Sequence, residues 1–185
     1  MNIPFSNRIT GVQPSAIREI LKLSSDPDII SFPAGNPSED AFPVEAVRGI
    51  TEEILAEHPI AALQYSLTEG YPALRQTLKN KLLAKGIGRE NEEILVMSGA
   101  QQGIELATKC LVNEDDVVIC EDPSFVGALN TFRSYGAKLV GVEMEPDGIH
   151  LGKLEQALRE NPNTKLIYLI PTFQNPSGIT TSFEK

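Results

Sequence analysis

The sequence predicts an α/β fold built on a mainly parallel sheet, and three observations predict it. Apolar runs of strand length recur at Ile94-Leu95-Val96-Met97, Val117-Val118-Ile119-Cys120, Lys138-Leu139-Val140-Gly141-Val142 and Leu166-Ile167-Tyr168-Leu169-Ile170. Helical apolar spacing fills the stretches between them, which is how βα units and a parallel sheet are written. The 185 residues, 41% of them apolar, suffice for one domain with a sizeable core.

Before the alternating region, Pro14 and Ser15 open a short helical pattern through Ile17, Ile20, Leu21 and Leu23. Ile29-Ile30-Ser31-Phe32 reads as an extended segment, and residues 33–38, with Pro33, Gly35 and Pro37, must be loop. Pro43 suits a first helical turn. Behind it Val44, Val47, Ile50 and Ile54 share one face. A second helix runs from about Pro72 to Leu83, with Leu74, Leu78 and Leu82 on one side and Gly86 at the stop. Between the four expected strands, residues 103–111, residues 125–135 and the segment carrying Leu151, Leu154 and Leu158 are expected to be helical.

Bulk properties exclude several classes. The net charge of -9 leaves no basic footprint for nucleic acid or an anionic membrane. No apolar run approaches the ~18 residues of a membrane span. The N-terminus lacks a basic start feeding an apolar stretch, so no signal peptide is expected and the cytoplasm is the default location. Cys110 and Cys120 form no metal-ligand spacing and are expected in the core of a protein from a reducing compartment.

Parallel sheets bind ligands beyond the carboxyl ends of their strands, so the loops there matter most. Ser98-Gly99-Ala100-Gln101-Gln102-Gly103 joins a strand to a helix start, where exposed N–H groups suit a phosphate. Gly99 and Ala100 admit close backbone approach, and the Ser98 and Gln101 side chains can add hydrogen bonds. The loop is neither a Walker A sequence nor a G-x-G-x-x-G fingerprint; a capped helix without ligand is the alternative. Glu121-Asp122-Pro123-Ser124-Phe125 offers Ser124 as a helix cap and Phe125 as a ring that either stacks on a planar ligand or packs in the core. Asn175-Pro176-Ser177-Gly178 cannot continue a strand. It holds an amide that either donates to a ring oxygen or serves the turn.

Taken in order, Ala34-Gly35-Asn36-Pro37, Leu63-Gln64-Tyr65-Ser66, Gly70-Tyr71-Pro72-Ala73-Leu74-Arg75, Ser98-Gly99-Ala100-Gln101-Gln102, Asp122-Pro123-Ser124-Phe125 and Pro171-Thr172-Phe173-Gln174-Asn175-Pro176-Ser177-Gly178 resemble the fold-type I pyridoxal-phosphate enzymes. The resemblance is to the class I and II aminotransferases, nearest the 2-aminoadipate, kynurenine and aromatic group. It runs from about Ser6 to Lys185. It implies a three-layer α/β sandwich forming an incomplete large domain, with an N-terminal arm and active-site-lining segment over residues 1–45 and the partial cofactor domain over residues 46–185.

By that resemblance Ala100 and Gln101, with Ser98, cradle the phosphate of pyridoxal 5′-phosphate. Phe125 stacks on its ring, at a position where many relatives carry tyrosine. Asn175 bonds the phenolic oxygen, with the bond into Pro176 often cis, and Tyr65 reaches the cofactor phosphate of a partner subunit. Gly35 and, more weakly, Asn36 line the side of the substrate carboxylate. The activity implied is transamination between an amino acid and a 2-oxo acid, plausibly 2-oxoglutarate, in a homodimer. The resemblance implies neither a metal nor nucleic acid.

That chemistry also needs a lysine bonded to the cofactor and moving the substrate proton, an acid beside the ring nitrogen and an arginine for the substrate carboxylate. In the family all three lie further along the chain than the position of Asn175, the lysine by several strands. Lys109, Lys138 and Lys165 read as surface charges, and Lys185 lies too soon after Asn175. Asp115 and Asp116 precede a strand, at the wrong edge of the sheet. The 185 residues alone are therefore expected to be inactive, as the piece of a longer enzyme. A lyase or synthase sharing these early motifs remains open, as does an aminotransferase-like sensor domain. A nicotinamide oxidoreductase lacks its glycine-rich turn here.

Overall fold

β1 (Val117–Asp122) lies at the middle of the sheet, and the computed structural model shows why: its side chains are buried on both faces. The structure describes residues 4–10 and 37–185. The expected helical pattern at 14–23, the extended segment at 29–32 and residues 33–36 lie outside the described residues. The chain divides into two units, residues 1–15 with 98–185 and residues 16–97.

The larger unit holds the sheet, ordered β3-β2-β1-β4. β2 (Lys138–Glu145) and β4 (Thr164–Tyr168) flank β1, both parallel to it. A two-residue strand, β3 (Gly148–Ile149), adds antiparallel to β2. The register sets Ile119 opposite Val140 on one side and Ile167 on the other.

Successive residues of β1 point to opposite faces. Val118 packs with Val112, Ala128, Phe132 and Ala137 under α5 (Ala100–Leu111) and α6 (Val126–Ser134). Val117 and Ile119 pack with Val142, Ile149 and Ala157 beneath α7 (Leu151–Glu160). Helices therefore cover both faces, giving the α/β sandwich with a mostly parallel sheet that the alternating pattern predicts. Phe132 and Tyr168 meet edge to face at 5.5 Å. A four-residue helix, α1 (Asn7–Thr10), belongs to the same unit, with the Arg8 guanidinium 5.3 Å from the centre of the Tyr135 ring.

In the smaller unit α2 (Val44–Glu57) follows Pro43 and α3 (Pro59–Leu63) follows His58. α4 (Pro72–Leu83) matches its expected span. Gly86 closes it at φ +72°, a conformation only glycine adopts freely, with its N–H on the Leu83 carbonyl. No residue described in this unit is buried.

The sequence reading differs from the structure at several points. Residues 94–97 form no strand: the backbone bond they make is from the Val96 N–H to the Glu69 carbonyl, and one bond is not a ladder. An apolar run supplies propensity, whereas a strand also needs a neighbour to pair with. α5 begins three residues before the expected Gly103. β4 spans 164–168 and not 166–170, because past Tyr168 the chain leaves the ladder for a side-chain partner. Cys120 is buried as expected, but Cys110 is exposed on the last turn of α5; both are free thiols. Among the described residues no helix is long and apolar enough to cross a membrane, and no cluster of three or more His, Cys, Asp or Glu could hold a metal.

Candidate functional site at the carboxyl edge of the sheet

Because β1 and β4 are parallel neighbours, the loops that follow them leave from the same edge. The N-terminus of α5 is tied to that edge by side-chain bonds. The site is thus assembled from three chain segments far apart in sequence.

The first is the start of α5. Gly99, its N-cap, adopts φ +85°, and open space surrounds the position a Cβ would take. No side chain caps the helix. Among the described residues, no acceptor receives the N–H of Ala100, Gln101 or Gln102. Three donors at the positive end of a three-turn helix form a ready anion site. The Gln102 side chain folds back, its Oε1 accepting from the Ser98 N–H at 2.6 Å, which holds the approach to the helix in place. Ser98 itself is exposed.

Gln101 is placed differently from a simple side-chain cradle. Its amide nitrogen donates to Thr131 Oγ1 at 2.7 Å and to the Gly127 carbonyl at 3.3 Å, joining α5 to α6. The side chain is thereby committed to structure, and the backbone N–H remains the group Gln101 can offer an anion.

The second segment carries Phe125, the residue before α6. Its ring lies over the backbone of Gly127: a Cβ built there would sit 2.5 Å from Phe125 Cζ and 2.6 Å from both Phe125 Cε1 and Gln101 Oε1. Absence of a side chain at 127 thus lets the ring and the Gln101 amide occupy one small volume. Phe125 is half-buried and also packs against the Phe132 cluster, so part of the core alternative holds for it. Ser124 does not cap α6 as expected. Phe125 takes the N-cap position, and Ser124 Oγ is the one buried side-chain polar atom among the described residues without a partner.

The third segment is the loop of residues 171–181. Thr181 N–H bonds the Pro171 carbonyl at 2.8 Å, Phe173 N–H bonds Thr180 Oγ1 at 3.1 Å, and Gln174 N–H bonds the Ile179 carbonyl at 2.8 Å. The loop folds on itself and is anchored from below by Gln174. The Gln174 amide nitrogen donates to Glu121 Oε2 at 3.1 Å and to the Pro123 carbonyl at 2.8 Å. Its oxygen accepts from Ser177 N–H at 2.9 Å and Ser177 Oγ at 2.6 Å. Asn175 follows directly, exposed, its side chain making no hydrogen bond among the described residues. The Asn175–Pro176 and Asp122–Pro123 bonds are both cis.

The structure therefore connects Ala100, Gln101 and Phe125 through Gly127, and Asn175 through Gln174 to the end of β1. Tyr65 belongs to the other unit, where it is 98% exposed. Gly35 and Asn36 lie outside the described residues. Lys185 is held by Asp147 at 2.7 Å and by Glu145. The hydrogen bond it donates to Asp147 raises its pKa above the usual lysine value, so it stays a paired cation rather than a neutral amine. Lys138 pairs with Asp115 at 2.9 Å, on the turn before β1.

Glu121, Gly127, Thr131 and Gln174 were not singled out by the sequence reading, although each shapes the site. The available signal was Gln174 within its turn motif and a glutamate closing an otherwise apolar strand. A buried carboxylate is costly unless bonded, which makes such a residue worth attention.

The α/β sandwich and this edge have the arrangement in which open parallel sheets bind ligands, beyond the carboxyl ends of the strands. The chain belongs to the aminotransferase class I and II family, whose description matches residues 27–185. It is 42% identical over 168 residues to the 2-aminoadipate transaminase of Thermus thermophilus, covering 90% of this chain and 41% of that protein. The kynurenine aminotransferase of Pyrococcus horikoshii, solved in complex with PMP, superposes with a TM-score of 0.89 at 34% identity, over 97% of this chain and 46% of that one. The α-aminoadipate aminotransferase of Thermus thermophilus, complexed with N-(5′-phosphopyridoxyl)-L-leucine, gives 0.83 at 36% identity, over 97% and 43%. The chain spans less than half the length of these relatives, matching an incomplete large domain of their fold.

Proposed function

We propose that this chain is the front part of the cofactor domain of a pyridoxal-5′-phosphate-dependent aminotransferase, which moves an amine from an amino acid to a 2-oxo acid. Acceptance by 2-oxoglutarate, a homodimeric assembly and a cytoplasmic location belong to the same reading. The observation that carries it is the uncapped N-terminus of α5 at the carboxyl edge, where the N–H groups of Ala100, Gln101 and Gln102 have no acceptor among the described residues, beside the half-buried Phe125 ring.

The residues present suit the group. A dianionic phosphate needs several donors and no competing carboxylate, which the first turn of α5 supplies. When bound, pyridoxal 5′-phosphate supplies a carbonyl that carries the amine and a ring that draws electrons from the substrate Cα. Ala100 and Gln101 then hold the phosphate through backbone N–H groups, with the Ser98 hydroxyl as a further donor. Phe125 holds the ring by its face, which needs only the aromatic surface and no hydroxyl. Asn175 donates its amide to the ring oxygen, orienting the group about its long axis. Tyr65 donates its hydroxyl to the phosphate held by the partner subunit, and Gly35 and Asn36 border the substrate carboxylate. The proton-moving lysine, the acid at the ring nitrogen and the carboxylate-binding arginine are assigned to no residue of this chain.

The test uses the intact gene product loaded with pyridoxal 5′-phosphate. It should convert 2-oxoglutarate to glutamate with an aromatic amino acid or 2-aminoadipate as donor, releasing one 2-oxo acid per glutamate. Release of an elimination product with no glutamate formed would move the assignment to a lyase of the same fold. Failure to bind the cofactor at all would remove the enzyme reading.

A further inference from the structure

We propose that Glu121 and Gln174 form a buried latch that positions Asn175; this rests on the reading of Asn175 as a cofactor contact. Glu121 is 2% exposed and Gln174 1%. Neither residue was needed to explain how the cofactor is held, yet both are withdrawn from water at the edge of the site.

The arrangement begins where β4 stops. After Tyr168, which pairs with Cys120, the next ladder acceptor is replaced by a side chain: Ile170 N–H donates to Glu121 Oε2 at 3.1 Å. The same oxygen accepts the Gln174 amide at 3.1 Å. Two donors on one oxygen offset part of the cost of keeping a carboxylate out of water. Gln174 in turn uses all of its hydrogen-bonding capacity, both donors toward β1 and both acceptor sites toward Ser177. Its own backbone closes the loop, accepting from Gly178 N–H at 2.5 Å and donating to the Ile179 carbonyl. The two amide donors of Gln174 thus hold two chain segments together across 53 and 51 positions of sequence, while its remaining polar groups close its own loop.

Asn175 is the contrasting neighbour. It is exposed, and its amide is unbonded among the described residues. A free amide on an otherwise free loop would sample many directions. One peptide bond from a fully committed buried side chain, it has a fixed origin. Small displacements of a positioning group cost much of its effect. The latch is a positioning device: Glu121 and Gln174 touch no ligand and act through Asn175.

The test combines loop exchange with cofactor affinity in the intact gene product. In Gln174→Ala, amide hydrogen exchange at Ile170, Ser177 and Gly178 should speed up about tenfold, on the scale of a lost bond to a charged group. Ile119 and Val140, inside the sheet, should change less than about twofold. Affinity for pyridoxal 5′-phosphate should fall about tenfold in Gln174→Ala and in Asn175→Ala. The double variant should be no weaker than Asn175→Ala alone, because residues acting through one another are not additive.

Unchanged loop exchange in Gln174→Ala overturns the latch. Faster exchange with additive affinity losses overturns its action through Asn175, as does wild-type affinity in Gln174→Ala alone. If Asn175→Ala binds as tightly as the unsubstituted protein, the site reading fails, and the positioning proposal with it, while the exchange data still report the latch separately. Should Gln174→Ala fail to fold, Ser177→Ala removes a single hydroxyl from an exposed residue. It should raise exchange at Gly178 about threefold, the effect of one neutral hydrogen bond; no change there counts against the latch.

Discussion

Replacing Gly127 by alanine tests the packing that sets the Phe125 ring. The added Cβ would fall 2.5 Å from Phe125 Cζ and 2.6 Å from Phe125 Cε1 and Gln101 Oε1, so something must move. Two effects oppose each other. Gly127 is the second residue of α6, and alanine is worth up to about 1 kcal/mol over glycine inside a helix. Overpacking a filled site costs about 1–3 kcal/mol. The Gln101 amide can swing only by stretching its bonds to Thr131 and the Gly127 carbonyl, and the ring is held by the Phe132 cluster, so overpacking should win. We expect Gly127→Ala to destabilise by about 0.5–2 kcal/mol in urea unfolding followed by circular dichroism. The sharper measurement is a double-mutant cycle with Phe125→Ala. Once the ring is gone, two of the three close contacts vanish, and alanine at 127 should become neutral or stabilising. A coupling of about 1–2 kcal/mol is expected. Coupling below about 0.3 kcal/mol, or a stabilising Gly127→Ala in the unsubstituted protein, would refute the claim that this glycine exists to seat the ring.

Two further outcomes follow from burial. Phe132→Ala removes a side chain 2% exposed, the centre of the cluster below α5 and α6 and the partner of Tyr168. It should cost about 3–5 kcal/mol, read as a lowered urea midpoint, and a loss under about 1 kcal/mol would contradict the packing described. Burial pushes the Cys120 thiol up to about 11, with the nearby Asp122 carboxylate adding to the shift. At pH 8 a thiol reagent should therefore modify exposed Cys110 and spare Cys120 until the chain is unfolded. Because that folded-state value lies above the ordinary 9.0, the contribution of Cys120 to stability is complete below pH 9 and declines as pH rises toward 11. Equal labelling of both thiols in the native state would contradict the placement of Cys120.

The elements most legible in the sequence were those whose stability is local or two-faced. α4 spans its expected residues because Pro72 and Gly86 mark its ends chemically. β1 was visible because a strand covered on both faces is largely apolar, and β2, though mostly half-buried or exposed, was visible through its apolar Leu139 to Val142 run. Residues 94–97 carry the same signature and still form no strand, since a run of valine and leucine encodes a preference but not a partner. The site divides the same way. Gly99, Phe125 and Asn175 were readable as loop chemistry at strand ends, whereas the role of Gln101 was not, because its side chain is claimed by Thr131, 30 positions away.

By itself, then, the sequence determined the alternation of elements, the α/β class and the loops at which to look, because periodicity and turn chemistry are written within a few residues of each other; the family was legible only as a resemblance carried by motifs in order along the chain. Only the tertiary structure decided which strands pair, that Gly127 is a seat for an aromatic ring, and that Glu121 and Gln174 meet in the interior. Those facts depend on the closeness of segments from about twenty to about fifty residues apart. Such closeness is settled by the packing of both faces of β1 at once, which no local pattern contains.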